Sequence, residues 1–266
     1  MKYRIGFIGA GVMAGIIIER MLESGNFRPD EICAFDVDSG RRQWLQSKNI
    51  YVPKDINELI ETSDITLLAV KPQNYAGILA EVNTENIKAL ASIMAGVKIS
   101  SLKSRINKRI GIARIMPNAP AAIGEGISAV CFDNMSVQDR ECIINMLTAC
   151  GEVIELGEEK FDAFTSLCGS GPAYVYMIMD AMIKGGMKGG LTFEESKTMA
   201  SATLRGSAAF ALQSETPLDI MVQRVCSKGG TTIEAVKIFE EKGLKDIIVE
   251  GLDACRKRSI ELSESN

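Results

Sequence analysis

Apolar and polar positions alternate in two different periods along the chain. Over about the first 155 residues, short apolar runs bounded by Gly, Pro, Asn or Asp alternate with amphipathic stretches. The runs predict strands at 2–8, 31–35, 64–70, 91–95, 111–116, 128–132 and 152–156. The stretches predict helices at 13–22, 39–47, 55–61 and about 137–150. Strand and helix in turn are the mark of a parallel, doubly wound α/β sheet. From about residue 160 the period becomes helical throughout, at 163–167, 173–184, 193–212, 218–225, 233–241 and 244–262, on faces crowded with Ala, Gly and Met. The expected organisation is therefore a domain at 1–158 followed by an all-helical domain at 159–266.

A glycine turn gives the first domain a chemistry. Gly9-Ala10-Gly11-Val12-Met13-Ala14 is G-x-G-x-x-A, set between a strand and a helix. Gly9 permits the tight turn, Gly11 lets a pyrophosphate approach the backbone, and Ala14 lets the helix pack on its strand. The free N–H groups of that helix face the anion. This predicts a Rossmann dinucleotide site. Asp36 stands where the second strand ends, the position whose carboxylate holds the ribose hydroxyls and repels a 2′-phosphate; that favours NAD over NADP. Arg41 and Arg42 lie just beyond and are the alternative, since either can serve a phosphate. Ala69-Val70-Lys71-Pro72 and Met94-Ala95-Gly96 end two further strands, and strand ends face the ligand crevice of such sheets.

Two further segments stand out. Gly169-Ser170-Gly171-Pro172-Ala173 interrupts the helical region. It reads either as a kink that brings backbone to a ligand or as a loop with Pro172 in the first turn of the next helix. Ser227-Lys228-Gly229-Gly230-Thr231-Thr232-Ile233-Glu234 places two glycines before a helix start. Thr231 with Glu234 matches a capping box, and amides beyond the glycines suit a small carboxylate.

Composition narrows the field. The chain has 266 residues, a formal charge of −4, seven cysteines and no histidine. An acidic balance argues against nucleic acid, and no apolar run is long enough to span a bilayer. A chain that opens on a strand is expected to lack a signal peptide, and dispersed cysteines fit reduced thiols; together these predict a cytoplasmic protein. No metal site is expected. Cys226, beside the glycines, is read as packing rather than chemistry. Without histidine, a proton for hydride chemistry must come from another group, from water, or with the substrate.

With these pieces, the chain resembles the pyrroline-5-carboxylate reductase family over nearly its whole length. The resemblance is carried by the segments already quoted, by Ala95-Gly96-Val97, by Arg114-Ile115-Met116-Pro117-Asn118-Ala119-Pro120, and above all by Val225 to Ala235. It implies an imine reductase that takes 1-pyrroline-5-carboxylate and NAD(P)H to L-proline. It implies a substrate-carboxylate cradle at Ser227, Gly229, Gly230 and Thr231, a hydrogen bond from Thr232 to the ring nitrogen, and Glu215 near the substrate. It implies homodimers or rings of dimers with interlocked helical domains. Lys228 stands where the family usually has proline and Cys168 where serine is common. The family's asparagine contact to the ribose is displaced here, leaving Asn57 as the candidate. A cyclic imine can be protonated before hydride arrives, which suits a chain without histidine. The alternatives are a hydroxyacid dehydrogenase of similar plan, against which stands the lack of a lysine early in the helix after Gly171, and a nucleotide-sensing dimer without turnover.

Overall fold

The structure is a computed structural model and describes residues 2–106 and 109–265. It divides into two compact units. One runs to Ser170 and takes in the chain again from Cys255; the other is Gly171–Ala254.

The first unit is a seven-stranded sheet, β1 (Tyr3–Ile8), β2 (Ile32–Phe35), β3 (Ser63–Leu68), β4 (Ala89–Ser92), β5 (Gly111–Met116), β6 (Gly126–Asp133) and β7 (Gly151–Glu155), in the order β2-β1-β3-β4-β5-β6-β7. Helices α1 (Val12–Glu23), α2 (Ser39–Ser47), α3 (Ile56–Thr62), α4 (Pro72–Glu81), α5 (Ile99–Lys103), α6 (Val137–Thr148) and the short α7 (Phe161–Phe164) complete it. Both faces are covered. Ile17, Ile18 and Met21 of α1, Leu45 of α2 and Ile143 of α6 fill one core. Leu59 of α3, Leu79 of α4, Leu102 of α5 and Phe161 of α7 fill the other. Strands buried on both faces read as continuous apolar runs, which is why β1 to β6 were legible as strands; β7, at the edge, is largely exposed.

The sheet corrects one expectation. It is parallel except that β6 runs antiparallel to β5. The link at 117–125 holds only a short 3-10 turn, Ala119–Ile123. A parallel return needs a crossover of a dozen or more residues, so the chain doubles back. Two helices also lie outside the predicted set. Pro72, read as a strand stop, is the first residue of α4, a position that proline favours. The strand expected at 91–95 is Ala89–Ser92, which leaves Met94-Ala95-Gly96 in the turn beyond it.

The segment after α7 stays helical but widens. Thr165–Gly169 is a π turn closed by the Ser170 N–H on the Thr165 carbonyl at 2.8 Å. The alternative loop at the glycines is therefore absent, and α8 (Gly171–Lys188) starts at once with Pro172 in its first turn. The second unit continues with α9 (Phe193–Gln213), α10 (Leu218–Val225), α11 (Thr231–Glu241) and the first part of α12 (Leu244–Ser265). α8 and α9 meet tightly where a Cβ on Gly186 would lie 2.7 Å from the Ser196 hydroxyl. Among the described residues, no helix is long and apolar enough to cross a membrane.

Candidate active site

β1 is flanked by β2 and β3, so the chain passes from β1 to β2 on one side and then crosses to β3 on the other, and the strand order reverses at β1. That reversal opens a crevice beyond the strand ends, where ligands of open α/β sheets bind. The Gly9 N–H donates to Phe35 O at 2.8 Å and the Ala69 N–H to Ile8 O at 2.9 Å, which draws the ends of β1, β2 and β3 together. Gly9 has φ +97°, and a Cβ there would meet Ala69 O at 2.7 Å, so only glycine fits. Gly11 is the N-cap of α1, exposed, with no side chain capping the helix, and a Cβ on it would meet nothing within 4 Å. Open space before uncapped helix amides is a cradle that a diphosphate fits. Val12 and Met13 enter α1 behind it, and Ala14 is buried against the sheet.

Asp36 is placed at the end of β2, half-buried. One carboxylate oxygen accepts the Ala10 N–H at 2.7 Å and the other the Asp38 N–H at 2.9 Å. The two arginines that the sequence left undifferentiated do different work. Arg42 donates to the carbonyls of Asp36 and Val37 and holds the connection from behind. Arg41 reaches the glycine turn itself, donating through Nε to Ala10 O and through Nη2 to Gly11 O at 3.1 Å. Sequence patterns gave no sign of that contact, because it depends on a rotamer crossing from α2 to α1.

Val70 and Lys71 follow β3 at the same strand ends; Lys71 is exposed and is the N-cap of α4. Met94 is buried, its N–H on the Ser92 hydroxyl at 3.2 Å, and Gly96 turns with φ +71°. Asn57 is engaged elsewhere. Its side-chain oxygen accepts the Asn83 N–H at 2.9 Å. Asn83 follows the far end of α4, whose ten residues carry it about 15 Å from the strand ends. The structure thus does not bring Asn57 to the glycine turn.

Asn118, quoted above only as part of a motif, has a definite task. Buried at 7% exposure, it accepts the Ile127 N–H at 2.9 Å and donates to Cys168 O at 3.1 Å. It therefore braces the π turn against β6. Nearby, the guanidinium of the buried Arg114 bonds Glu158 at 3.0 Å and lies over the Phe161 ring.

The second candidate constellation lies wholly in the helical unit. Ser227–Gly230 is a tight turn, closed by the Gly230 N–H on Ser227 O at 2.9 Å. Gly229 takes φ +72° at the third position of the turn, where such geometry favours glycine. Lys228 occupies the second position, where proline is favoured; the turn survives the substitution because Gly229 supplies the special conformation. The expected capping box is absent. Gly230, not Thr231, is the N-cap of α11, without a side-chain cap, and Glu234 pairs with Lys237 at 2.8 Å. The opening amides of α11 therefore point back toward the turn without a capping oxygen. Thr231 is exposed, Thr232 half-buried, and Glu215 exposed between α9 and α10. Cys226 ends α10, half-buried and unpaired. All seven cysteines are free, and burial pushes the thiols of Cys33 up to about 12 and of Cys131 and Cys150 up to about 11. No group of metal-ligating side chains occurs among the described residues.

Comparison with known proteins bears on both constellations. The sequence model of pyrroline-5-carboxylate reductase dimerisation matches residues 158–262, and that of NADP oxidoreductase, coenzyme F420-dependent, matches 4–96. The pyrroline-5-carboxylate reductase of Arabidopsis thaliana is 34% identical over 99% of this chain and 97% of its own. The chain belongs to the pyrroline-5-carboxylate reductase family. Solved relatives agree in fold along the whole length. The enzyme of Streptococcus pyogenes superposes with a TM-score of 0.88 at 26% identity, covering 97% of this chain and 98% of that one. The pyrroline carboxylate reductase of Plasmodium falciparum, solved with NADP bound, gives 0.87 at 25% identity, covering 98% of each. The fold is thus a Rossmann sheet followed by helices that match the family's dimerisation region.

Proposed function

We propose that the chain reduces 1-pyrroline-5-carboxylate to L-proline with NAD(P)H, the last step of proline synthesis. The observation that carries this reading is the Ser227–Gly230 turn opening onto the uncapped start of α11, in a chain that also holds the Gly9–Ala14 cradle. The turn suits a small carboxylate. The first amides of α11 point toward it, the Ser227 hydroxyl lies beside Gly230, and Lys228 adds positive charge. Thr232 is the catalytic residue in this reading, because its hydroxyl hydrogen-bonds the ring nitrogen and orients the C=N bond. Glu215 is a second substrate contact.

The cofactor, when bound, supplies a hydride to the C=N carbon. The chain's own part is positioning. The Gly9–Ala14 turn and α1 hold the diphosphate, Asp36 the ribose hydroxyls, and residues 69–72 and 94–96 border the rest of the crevice. Protonation of the imine nitrogen precedes reduction, so no strong acid is required of the protein. The hydroxyacid dehydrogenase reading needs a lysine early in α8. Lys184 is the first lysine in that helix, and it is exposed in an ion pair with Asp180 at 2.6 Å.

The working form is a homodimer or a ring of dimers, in the cytoplasm. Support comes from the second unit, where only Ile183 and Ala200 are buried among the apolar side chains, while Met177, Phe210, Leu212 and Val249 are more than 60% exposed. A second copy of the chain is the natural cover for such a surface. A spectrophotometric assay tests the activity, with 1-pyrroline-5-carboxylate plus NADH or NADPH against 2- and 3-hydroxyacids plus NAD+ or NADP+. Cofactor oxidation with the imine and none of the reverse reaction with hydroxyacids is expected; turnover of hydroxyacids alone would refute the assignment.

A further inference from the structure

The Cys168 carbonyl stands four residues before a proline. Pro172 has no N–H to close the helical bond, and the Asn118 side chain donates to that carbonyl instead, at 3.1 Å. Asn118 is itself fixed, because its oxygen accepts the Ile127 N–H at 2.9 Å. The place where this happens is the crevice edge of the sheet. β1, β3, β4 and β5 run parallel, with Ile8 beside Leu68, Leu68 beside Ser92 and Ser92 beside Arg114. Met116 ends β5 on the same edge as the glycine turn, and Asn118 follows it. Asp36 sets the adenosine half of a dinucleotide at β2 and Gly9–Ala14 the diphosphate at β1, so the nicotinamide half extends toward β3, β4 and β5. A Cβ on Gly169 would lie 2.8 Å from the Met116 methyl carbon. The π turn therefore backs onto the end of β5, at the reacting end of the crevice. Single π turns inside helices are frequent at functional sites.

A second set of contacts comes from the end of α12. Cys255, Ser259 and Ser263 recur every four residues and so share one helix face. Ser259 and Ser263 are buried, and buried hydroxyls need partners. Both donate to one oxygen of Asp162 in α7, at 2.6 and 3.4 Å. The Cys255 thiol donates to the Ser170 hydroxyl at 3.4 Å. The π turn is thus held before its first residue, by Asp162, at its fourth, by Asn118, and just after its last, at Ser170.

We propose that Asn118, Asp162, Ser259 and Ser263 are positioning residues for hydride transfer. They fix the π turn at the reacting end of the crevice and act through that turn. This rests on the reductase reading given above.

The test compares the full-length wild type with Asp162→Ala, Asp162→Asn and the double variant Ser259→Ala/Ser263→Ala. It reads amide exchange at Thr165–Ser170 in the unliganded protein, the dissociation constant and stoichiometry of dinucleotide binding, and the deuterium isotope effect on kcat with cofactor deuterated at nicotinamide C4. Alanine favours a helix over serine, so the double variant folds, and a circular-dichroism melt verifies this. In Asp162→Ala, exchange at Thr165–Ser170 should quicken by about tenfold or more, while exchange at Gly9–Ala14 stays as in the wild type. The kcat should fall roughly tenfold to a hundredfold, the scale of a misplaced reacting pair, with dinucleotide affinity within about twofold and full stoichiometry. The isotope effect should equal or exceed that of the wild type, because the hydride step then limits turnover. The double variant should follow the same pattern with a loss in kcat of about threefold to tenfold. Asp162→Asn keeps an acceptor oxygen for both serines and should restore most of kcat. An unchanged kcat or an unchanged exchange in both Asp162→Ala and the double variant overturns the proposal. So does an isotope effect that falls toward one, which places the loss in another step. A wild type that reduces no 1-pyrroline-5-carboxylate with either cofactor refutes the reductase reading instead, and the two failures are thereby distinct.

Discussion

Replacing Gly230 with alanine tests the substrate turn at its tightest point. Gly230 has φ −81° and ψ 172°, extended backbone that alanine adopts without strain. The effect must therefore come from the new methyl group. Its carbon would lie 2.2 Å from the Ser227 hydroxyl oxygen and 3.1 Å from the Ser227 carbonyl oxygen. The first distance is far inside contact, and the cheapest escape is rotation of the Ser227 hydroxyl away from the turn. If that hydroxyl bonds the substrate carboxylate, its loss costs about 1.5–3 kcal/mol, the range for hydrogen bonds to charged groups. KM for 1-pyrroline-5-carboxylate should rise roughly tenfold to a hundredfold. KM for the dinucleotide should stay within about twofold. Ser227 is exposed, so the melting temperature should barely move. A double-mutant cycle isolates the cause. In a Ser227→Ala background, Gly230→Ala should add little, because the displaced group is already gone. Fully additive effects of the two substitutions, or an unaltered KM in Gly230→Ala, would refute the reasoning.

Thr232→Ala should lower kcat by roughly one to two orders of magnitude with little change in cofactor KM, as for loss of one positioned hydrogen bond in the transition state; near-normal turnover in the folded variant removes Thr232 from the chemistry. Glu158→Ala should destabilise the protein by about 3–5 kcal/mol, since it strands the guanidinium of the buried Arg114 and leaves the Ile99 N–H without its 2.8 Å acceptor. Chemical denaturation should show this, with Glu158→Gln retaining part of the loss. Thermal unfolding should depend on protein concentration, and Ala208→Arg, on an exposed stretch of α9, should abolish dimerisation and activity together; a concentration-independent melt with active monomer in sedimentation contradicts the dimer.

What the sequence revealed and what it concealed follow from the range of the forces involved. The sheet was legible because its strands, apart from the exposed edge strand β7, are buried on both faces and their apolar runs are continuous. The glycine turn was legible because Gly9 has no alternative residue at φ +97° beside Ala69 O. Local pattern failed where a distant partner decides. The π turn at Thr165–Gly169 is braced by Asn118, fifty residues before the Cys168 carbonyl that it bonds. The capping boxes make the contrast sharp. Thr192 and Glu195 form one at α9, with the carboxyl of Glu195 held below its ordinary value by the Thr192 N–H and hydroxyl. Thr231 and Glu234 match the same pattern and do not, because the preceding Ser227–Gly230 turn delivers Gly230 as the cap and puts Thr231 already inside the helix. The same step leaves the amides of α11 uncapped. A capped start would have been worth more to stability, and a helix that forgoes its cap behind a two-glycine turn keeps those donors for something outside the chain.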